Sequence, residues 1–398
     1  MRRLAACMTV MMLLAACALA VQGEPILKPG DRMVFLGDSI TQQRVHTRYV
    51  MDYVTLRNPG ANITFRNAGW NSDTAKGGLW RLERDVLSLK PTVVSICYGM
   101  NDGLAMPAAY PGYMRDLVTR LKKAGVRVVL ITAGCVDPDR NPNHATYNRT
   151  LADIALKVVE LGKQENVPVF NIHSLMFDVQ TRAKADDPKF TMIPDAVHPS
   201  APGQALMAFG LLTALGYSGE ASGLEIDCAA SKATTDHCTV RELKINEDAV
   251  TFTRTDDALP TYFDPEVASV MKYAPFLETM NAYPLKITGL KEGNWKITAQ
   301  GCDLGTFSAA ELAGGVDLSA KPGPWKKMAE DVNKLSAAQE DLYFTRWRNI
   351  QLGGLPSEVK RETDALLSGL DRLIAKRETE RIRATAKRTW QWSVAPVR

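Results

Sequence analysis

Four short blocks carry the residue types needed for ester hydrolysis, and they stand in one order along the chain. They are Gly37-Asp38-Ser39-Ile40, Asn67-Ala68-Gly69, Gly99-Met100-Asn101-Asp102 and Asp195-Ala196-Val197-His198. A serine hydroxyl is a poor nucleophile until a neighbouring base takes its proton. His198 has a carboxylate three positions earlier, and it would take the Ser39 proton and return it to a leaving alcohol. Asp195 would hold the imidazole in one tautomer and stabilise the imidazolium. Each block also has a plain structural reading. Ser39 could cap a helix beginning at Ile40-Thr41-Gln42. Asn101-Asp102-Gly103 would form a turn in any protein, and Asp195–His198 is flanked by Pro194 and Pro199 as an exposed turn would be.

The elements that must position these residues are legible in the hydrophobic pattern. Apolar runs at 33–36, 63–65 and 93–98 read as buried strands, and each leads into one of the first three blocks. That sets the blocks at strand C-terminal ends, where open parallel sheets bind their ligands. Further strands are expected at 127–132 and 167–172. Helical stretches are expected at 49–56, 79–89, 110–123, 147–164 and 202–215, with a long loop delivering His198. Strands that alternate with helices predict a parallel sheet covered on both faces.

Any one block alone recurs by chance, but four in order and in these places do not. The set resembles the SGNH (GDSL-type) hydrolase family, named for the Ser, Gly, Asn and His of such blocks. The resemblance implies a three-layer α/β/α, flavodoxin-like domain with a five-stranded parallel sheet over residues 25–218. It implies a serine carboxylic ester hydrolase with Ser39, His198 and Asp195 as catalytic residues. It also implies an oxyanion hole made by the backbone N–H groups of Ser39 and Gly69 and the side-chain amide of Asn101. In this chemistry the amide donates without adding charge, and Gly69 permits close backbone approach.

Beyond Ser218 the texture changes. Short alternating or β-branched runs at 240–245, 249–253, 285–288 and 295–299 predict a small β-rich module over 219–320. Pro322 and Pro324 then introduce helical stretches at 325–350 and 357–388, a helical extension over 321–398. In the second stretch Val359, Leu366, Leu370 and Ile374 recur at helical spacing, as a packing face does. The tail resembles extensions found on some exported bacterial members of the family.

The N-terminus reads as a targeting segment, with Arg2 and Arg3 ahead of an apolar stretch at 4–20. Two processing routes are open. Ala18-Leu19-Ala20 fits release of a soluble protein after a signal peptide at 1–20. Leu14-Ala15-Ala16-Cys17 fits a lipoprotein signal at 1–16 with a lipid anchor at Cys17, the one membrane contact expected. Either route places the protein outside the cytosol, in the periplasm or beyond. The net charge of +4 gives no reason to invoke nucleic acid. No cysteine or histidine spacing resembles a metal site, so no metal and no cofactor are expected. Cys228 and Cys238 bracket a polar loop, where a local disulfide could form.

The substrate is the least determined feature. Trp70, Tyr98, Met100, Tyr110 and Tyr147 lie on or near the block loops, and aromatics there suit sugar faces, acyl chains and core packing alike. No long hydrophobic loop suggests an acyl tunnel. The expectation is a carbohydrate O-acetylesterase working through an acyl-enzyme. The alternatives are a lysophospholipase or thioesterase acting on longer chains, and a non-catalytic carbohydrate-binding or scaffold protein.

Overall fold

A computed structural model describes residues 24–386 and 388–397. The leader readings at 1–20, Cys17 included, lie outside the described residues. The structure divides into two compact units.

In unit one the apolar runs form a five-stranded, wholly parallel sheet in the order β2-β1-β3-β4-β5. The strands are β1 (Arg32–Gly37), β2 (Thr64–Gly69), β3 (Val93–Cys97), β4 (Arg127–Ile131) and β5 (Val169–Phe170). This is the flavodoxin-like order, whose direction reverses between β1 and β3. Ligands in such sheets lie outside the strand C-termini at that reversal. The central strands are buried on both faces, which is why they read as unbroken apolar runs.

Helices connect the strands: α1 (Ser39–Gln42), α2 (Val45–Arg57), α3 (Ala75–Asp85), α4 (Asp102–Ala105), α5 (Tyr110–Lys123) and α6 (Tyr147–Glu165). Two more follow the sheet, α7 (Ile172–Asp186) and α8 (Ala201–Ala214). The expected long loop before His198 is therefore mostly helix α7, with the irregular chain confined to the stretch after Asp187. Asn171 starts this helix by accepting the Ser174 amide. Helix α8 is apolar almost all round and almost wholly buried.

The longest stretch of unit one ends at Ser218 and unit two resumes at Gly219, while residues 276–398 stay in unit two across position 320. Unit one also takes residues 263–275, including the short helix α9 (Ala268–Met271), and unit two takes residues 51–61, the C-terminal half of α2. In unit one Tyr49 Oη and Arg48 Nη2 both donate to Asp264 Oδ2, at 2.5 and 3.2 Å. In unit two Asp52, fully buried, accepts from Asn333 Nδ2 at 2.7 Å and Ser336 Oγ at 2.5 Å.

Unit two holds two sheets and a helical pair. The strands are β6 (Gly223–Asp227), β7 (Lys232–Asp236), β8 (Cys238–Ile245) and β9 (Val250–Asp256), followed after α10 (Pro275–Asn281) by β10 (Pro284–Thr288), β11 (Asn294–Ala299) and β12 (Cys302–Ser308). After α11 (Ala309–Gly314) come β13 (Val316–Asp317), the helices α12 (Pro324–Phe344) and α13 (Lys360–Ala384), and β14 (Thr389–Pro396). One sheet runs β13-β10-β6-β7 and the other β12-β11-β14-β9-β8. Strand β14, the last among the described residues, is thus the central strand of the second sheet, where the expected helical stretch reached 388 and no strand was expected after it. The core there is aromatic: Trp325 and Trp392 stack with ring centres 5.5 Å apart, and Tyr283 lies 4.7 Å from Trp325.

Two local expectations are corrected. Of the stripe on α13, Ile374 is buried, but Val359 and Leu366 are exposed. The five described cysteines are free. In the β6–β7 hairpin Gly223 pairs with Asp236 and Asp227 with Lys232, so Cys238 and Cys228 lie beyond opposite ends of β6. Five residues of strand put them roughly 16 Å apart, too far for the ~7 Å limit of a disulfide.

Candidate active site

Ser39 is the first residue of α1, directly after β1. Asp38 is the N-cap, in extended conformation, and its Oδ1 accepts the Ile40 amide at 2.9 Å. The Ser39 amide, in the first turn, has no intrahelical partner. Glycine at the end of β2 lets this turn sit against the sheet, because a Cβ on Gly69 would lie 2.3 Å from the Gln42 nitrogen. Asn67 ties the same place together, donating through Nδ2 to the Thr41 carbonyl at 2.8 Å and to Thr47 Oγ1 at 3.0 Å.

His198 sits in the turn between α7 and α8. Asp195 builds that turn by accepting three bonds: from the amides of Val197 and His198 at 3.0 and 2.7 Å through Oδ1, and from His198 Nδ1 at 2.8 Å through Oδ2. Burial opposes ionisation of Asp195, but these donors outweigh it and hold its carboxyl below the usual range. An ionised acceptor at Nδ1 places the ring proton there, which leaves the Nε2 lone pair for Ser39 Oγ at 2.8 Å. Ala196, in the middle of the turn, takes a φ of 77° and is fully buried. Its carbonyl accepts the Asp137 amide at 2.9 Å, which anchors the turn to the segment after β4.

The structure brings Ser39, His198 and Asp195 into one chain of hydrogen bonds. The three expected oxyanion donors stand differently. Asn101, just before α4, gives one amide hydrogen to the Asp73 carbonyl at 2.8 Å, and an amide nitrogen carries two. The Gly69 N–H already donates to Asn67 Oδ1 at 2.9 Å, so it would have to share that hydrogen with an incoming oxyanion.

Beneath the site lies a buried polar layer that the sequence did not reveal. Arg81 of α3 donates from Nε to Asp73 Oδ2 at 2.8 Å and from Nη2 to the Gly37 carbonyl at 3.2 Å and Tyr98 Oη at 2.9 Å. Tyr98 in turn donates to Asp73 Oδ2 at 2.7 Å. Asp102 accepts the amides of Ala75 at 2.9 Å and Gly99 at 3.1 Å, fixing the Asn101 loop to the start of α3. Burial pushes the Asp38 carboxyl up to about 7, against the pull of the Ile40 amide and with added repulsion from Asp102 and Asp73. Burial raises Asp102 to about 6 in the same way, despite its two amide donors. Charged residues inside an amphipathic helix, such as Arg81 and Asp85, were the available signal.

The aromatics near the blocks divide by burial. Tyr98, Met100, Tyr110 and Tyr147 are buried and brace the loop after β3: Tyr110 Oη donates to the Tyr98 carbonyl at 2.8 Å, and Tyr147 Oη donates to the Met100 carbonyl. Trp70 remains partly exposed beside Gly69, with the guanidinium carbons of Arg81 and Arg84 lying 5.5 and 5.7 Å from its ring centre. Such stacking fixes the indole plane.

A family model described as GDSL-like Lipase/Acylhydrolase matches residues 35–206, the span from β1 to the start of α8. An acetylxylan esterase of Geobacillus stearothermophilus is 24% identical over 220 residues, which cover 47% of this chain and 95% of that protein. A solved structure of that esterase overlays 48% of this chain and 97% of its own at a TM-score of 0.42, with 22% identity. The structure of a gut microbial diltiazem-metabolizing enzyme overlays 95% of this chain and 100% of its own. It does so at a TM-score of 0.83 and 23% identity. The fold is therefore shared along both units.

Proposed function

Since residues 35–206 belong to the GDSL-like lipase/acylhydrolase family and the chain is an ester-hydrolysing enzyme, we propose that it is a carbohydrate O-acetylesterase. Ser39, His198 and Asp195 are its catalytic residues in this reading. The observation that carries it is the continuous hydrogen-bond chain from Asp195 Oδ2 through the imidazole to Ser39 Oγ, 2.8 Å at each link. His198 Nε2 takes the serine proton as Oγ attacks the ester carbonyl. The proton then passes to the departing alcohol, leaving an acyl-enzyme. Water repeats the sequence in reverse roles and releases the acid. The Ser39 amide, the second hydrogen of the Asn101 amide and a shared Gly69 amide meet the oxyanion of each tetrahedral intermediate.

The acetyl and sugar parts of the reading rest on the acetylxylan esterase relative and on Trp70, whose partly exposed ring beside Gly69 offers a flat face for a sugar ring. Acetate release from acetylated xylooligosaccharides, compared with p-nitrophenyl acetate, octanoate and palmitate, tests both. Turnover that rises with acyl length would sink the acetyl assignment, and turnover of p-nitrophenyl acetate alone would sink the sugar. Export is part of the same proposal, and the mass of the mature protein from its native host decides between cleavage near Ala20 and lipidation at Cys17.

A further inference from the structure

Ser39 and His198 stand 159 positions apart in sequence, and the bonds made by Asp195 fix the imidazole only within its own turn. Something else must set that turn against the segment that carries the serine. Gln204, in the first turn of α8, is fully buried and reaches across. Its Oε1 accepts both the His46 amide at 3.1 Å and the His46 ring Nδ1 at 2.7 Å. Its Nε2 donates to Gln43 Oε1 at 2.5 Å and to the Pro199 carbonyl at 3.4 Å. All four hydrogen-bonding positions of the amide are thereby used. The orientation is also determined, because a reversed amide would point NH₂ at the His46 N–H and oxygen at the Pro199 carbonyl.

Each partner belongs to one side of the reacting pair. Pro199 follows His198 directly, and the Gln204 backbone amide bonds the Ser200 carbonyl at 2.9 Å. Gln43 donates its own amide to the Ser39 carbonyl at 3.0 Å, closing the turn that begins at the nucleophile. His46 is buried and, with burial pushing its pKa down to about 4, stays neutral and serves as a fixed donor.

We infer that Gln204 is a positioning residue that holds the His198 turn against the Ser39 turn and so sets the serine–imidazole distance. The inference rests on the catalytic reading of Ser39 and His198. A buried amide suits the task because four directional bonds locate a group in three dimensions, whereas apolar packing in the same space would let the turns slide. A misplacement of about 1 Å at a reacting pair costs on the order of a hundredfold in rate.

The experiment uses the full chain with Gln204→Met, which keeps the volume and removes all four bonds, and Gln43→Ala, which removes one exposed partner. Steady-state kinetics on p-nitrophenyl acetate are normalised to active sites titrated with a fluorophosphonate. For Gln204→Met the expected result is a fall in kcat of about ten- to a hundredfold, with KM within about twofold of the starting enzyme. For Gln43→Ala a smaller fall of the same pattern is expected. A residue that only stabilises the fold would lower the titrated fraction and leave kcat per site unchanged, and that result overturns the inference. If Gln204→Met does not fold, Gln43→Ala decides, and an unaltered kcat there overturns it as well. Ser39→Ala is the control on the underlying reading. An inactive Ser39→Ala beside a fully active Gln204→Met would refute the positioning role alone, and an active Ser39→Ala would refute the catalytic assignment itself.

Discussion

Replacing Asp38 by asparagine separates the shape of that side chain from its charge. Asparagine keeps an oxygen for the Ile40 amide, which Asp38 Oδ1 now accepts at 2.9 Å, so the cap of α1 survives. The carboxyl titrates at about 7 in the fold against 3.8 in an open chain, because it is wholly buried and faces Asp102 and Asp73. The folded state therefore binds a proton more tightly than the unfolded state between those values, and stability falls as pH rises through that window. At about 1.4 kcal/mol per pH unit the full difference is on the order of 4 kcal/mol. It is fully present below about pH 4 and lost by about pH 8. The asparagine side chain does not titrate, so the difference in unfolding free energy between the two proteins reports this group together with its coupling to Asp102 and Asp73. Urea unfolding of both proteins at pH 5, 6, 7 and 8 should show the asparagine variant gaining steadily on the parent. A difference that is flat with pH would mean that Asp38 is not held protonated. A difference of opposite slope would mean that it is ionised and paired, and the account of the buried carboxylates would fail.

Asn101→Ala should lower kcat by roughly a hundredfold or more with little change in KM, since an oxyanion donor acts mainly in the transition state; a change confined to KM would make Asn101 a ground-state contact. Gly69→Ala should cost both stability and activity, because its Cβ would press within 2.3 Å of the Gln42 backbone in the turn that follows Ser39. A thermal melt unchanged from the parent would refute that contact. Ending the chain at residue 386 should unfold unit two, since β14 pairs with both β9 and β11 and carries the buried Trp390 and Trp392. Losing a buried tryptophan alone costs about 3–5 kcal/mol. Limited proteolysis reads this out, and a shortened chain as resistant as the parent would show that the sheet does not depend on its last strand.

Sequence alone determined the parallel α/β unit and the residues that could do chemistry in it. The reason is local. A strand buried on both faces must be an apolar run, and the loop leaving its C-terminal end must carry whatever polar residues the site uses. Ser39 and Asn101 stand just past such runs and Gly69 closes the strand that one of them begins, and the carboxylate that bonds the His198 ring lies three residues away from it. Local pattern also carries a strand signal just past the helical stretch expected to end at 388: Trp390, Trp392 and Val394 alternate as buried residues of a strand do.

The tertiary structure decided what depends on partners distant in sequence or on depth. That β14 lies at the centre of a sheet follows from pairing with residues 250–255 and 295–299, which no window around it contains. Whether Tyr98 and Tyr147 line a mouth or brace a loop depends on burial, and the same aromatic side chain serves either use. The opposite ends of β6 keep Cys228 and Cys238 apart, although they bracket a short polar loop in sequence. Asp38 has an ordinary place in its block, and only its enclosure with Asp73 and Asp102 raises its pKa. Gln204 carries no motif at all. Its amide acquires a role only when the fold brings His46, Gln43 and Pro199 around it, because a hydrogen bond is set by distance and direction, and neither is written in residue order.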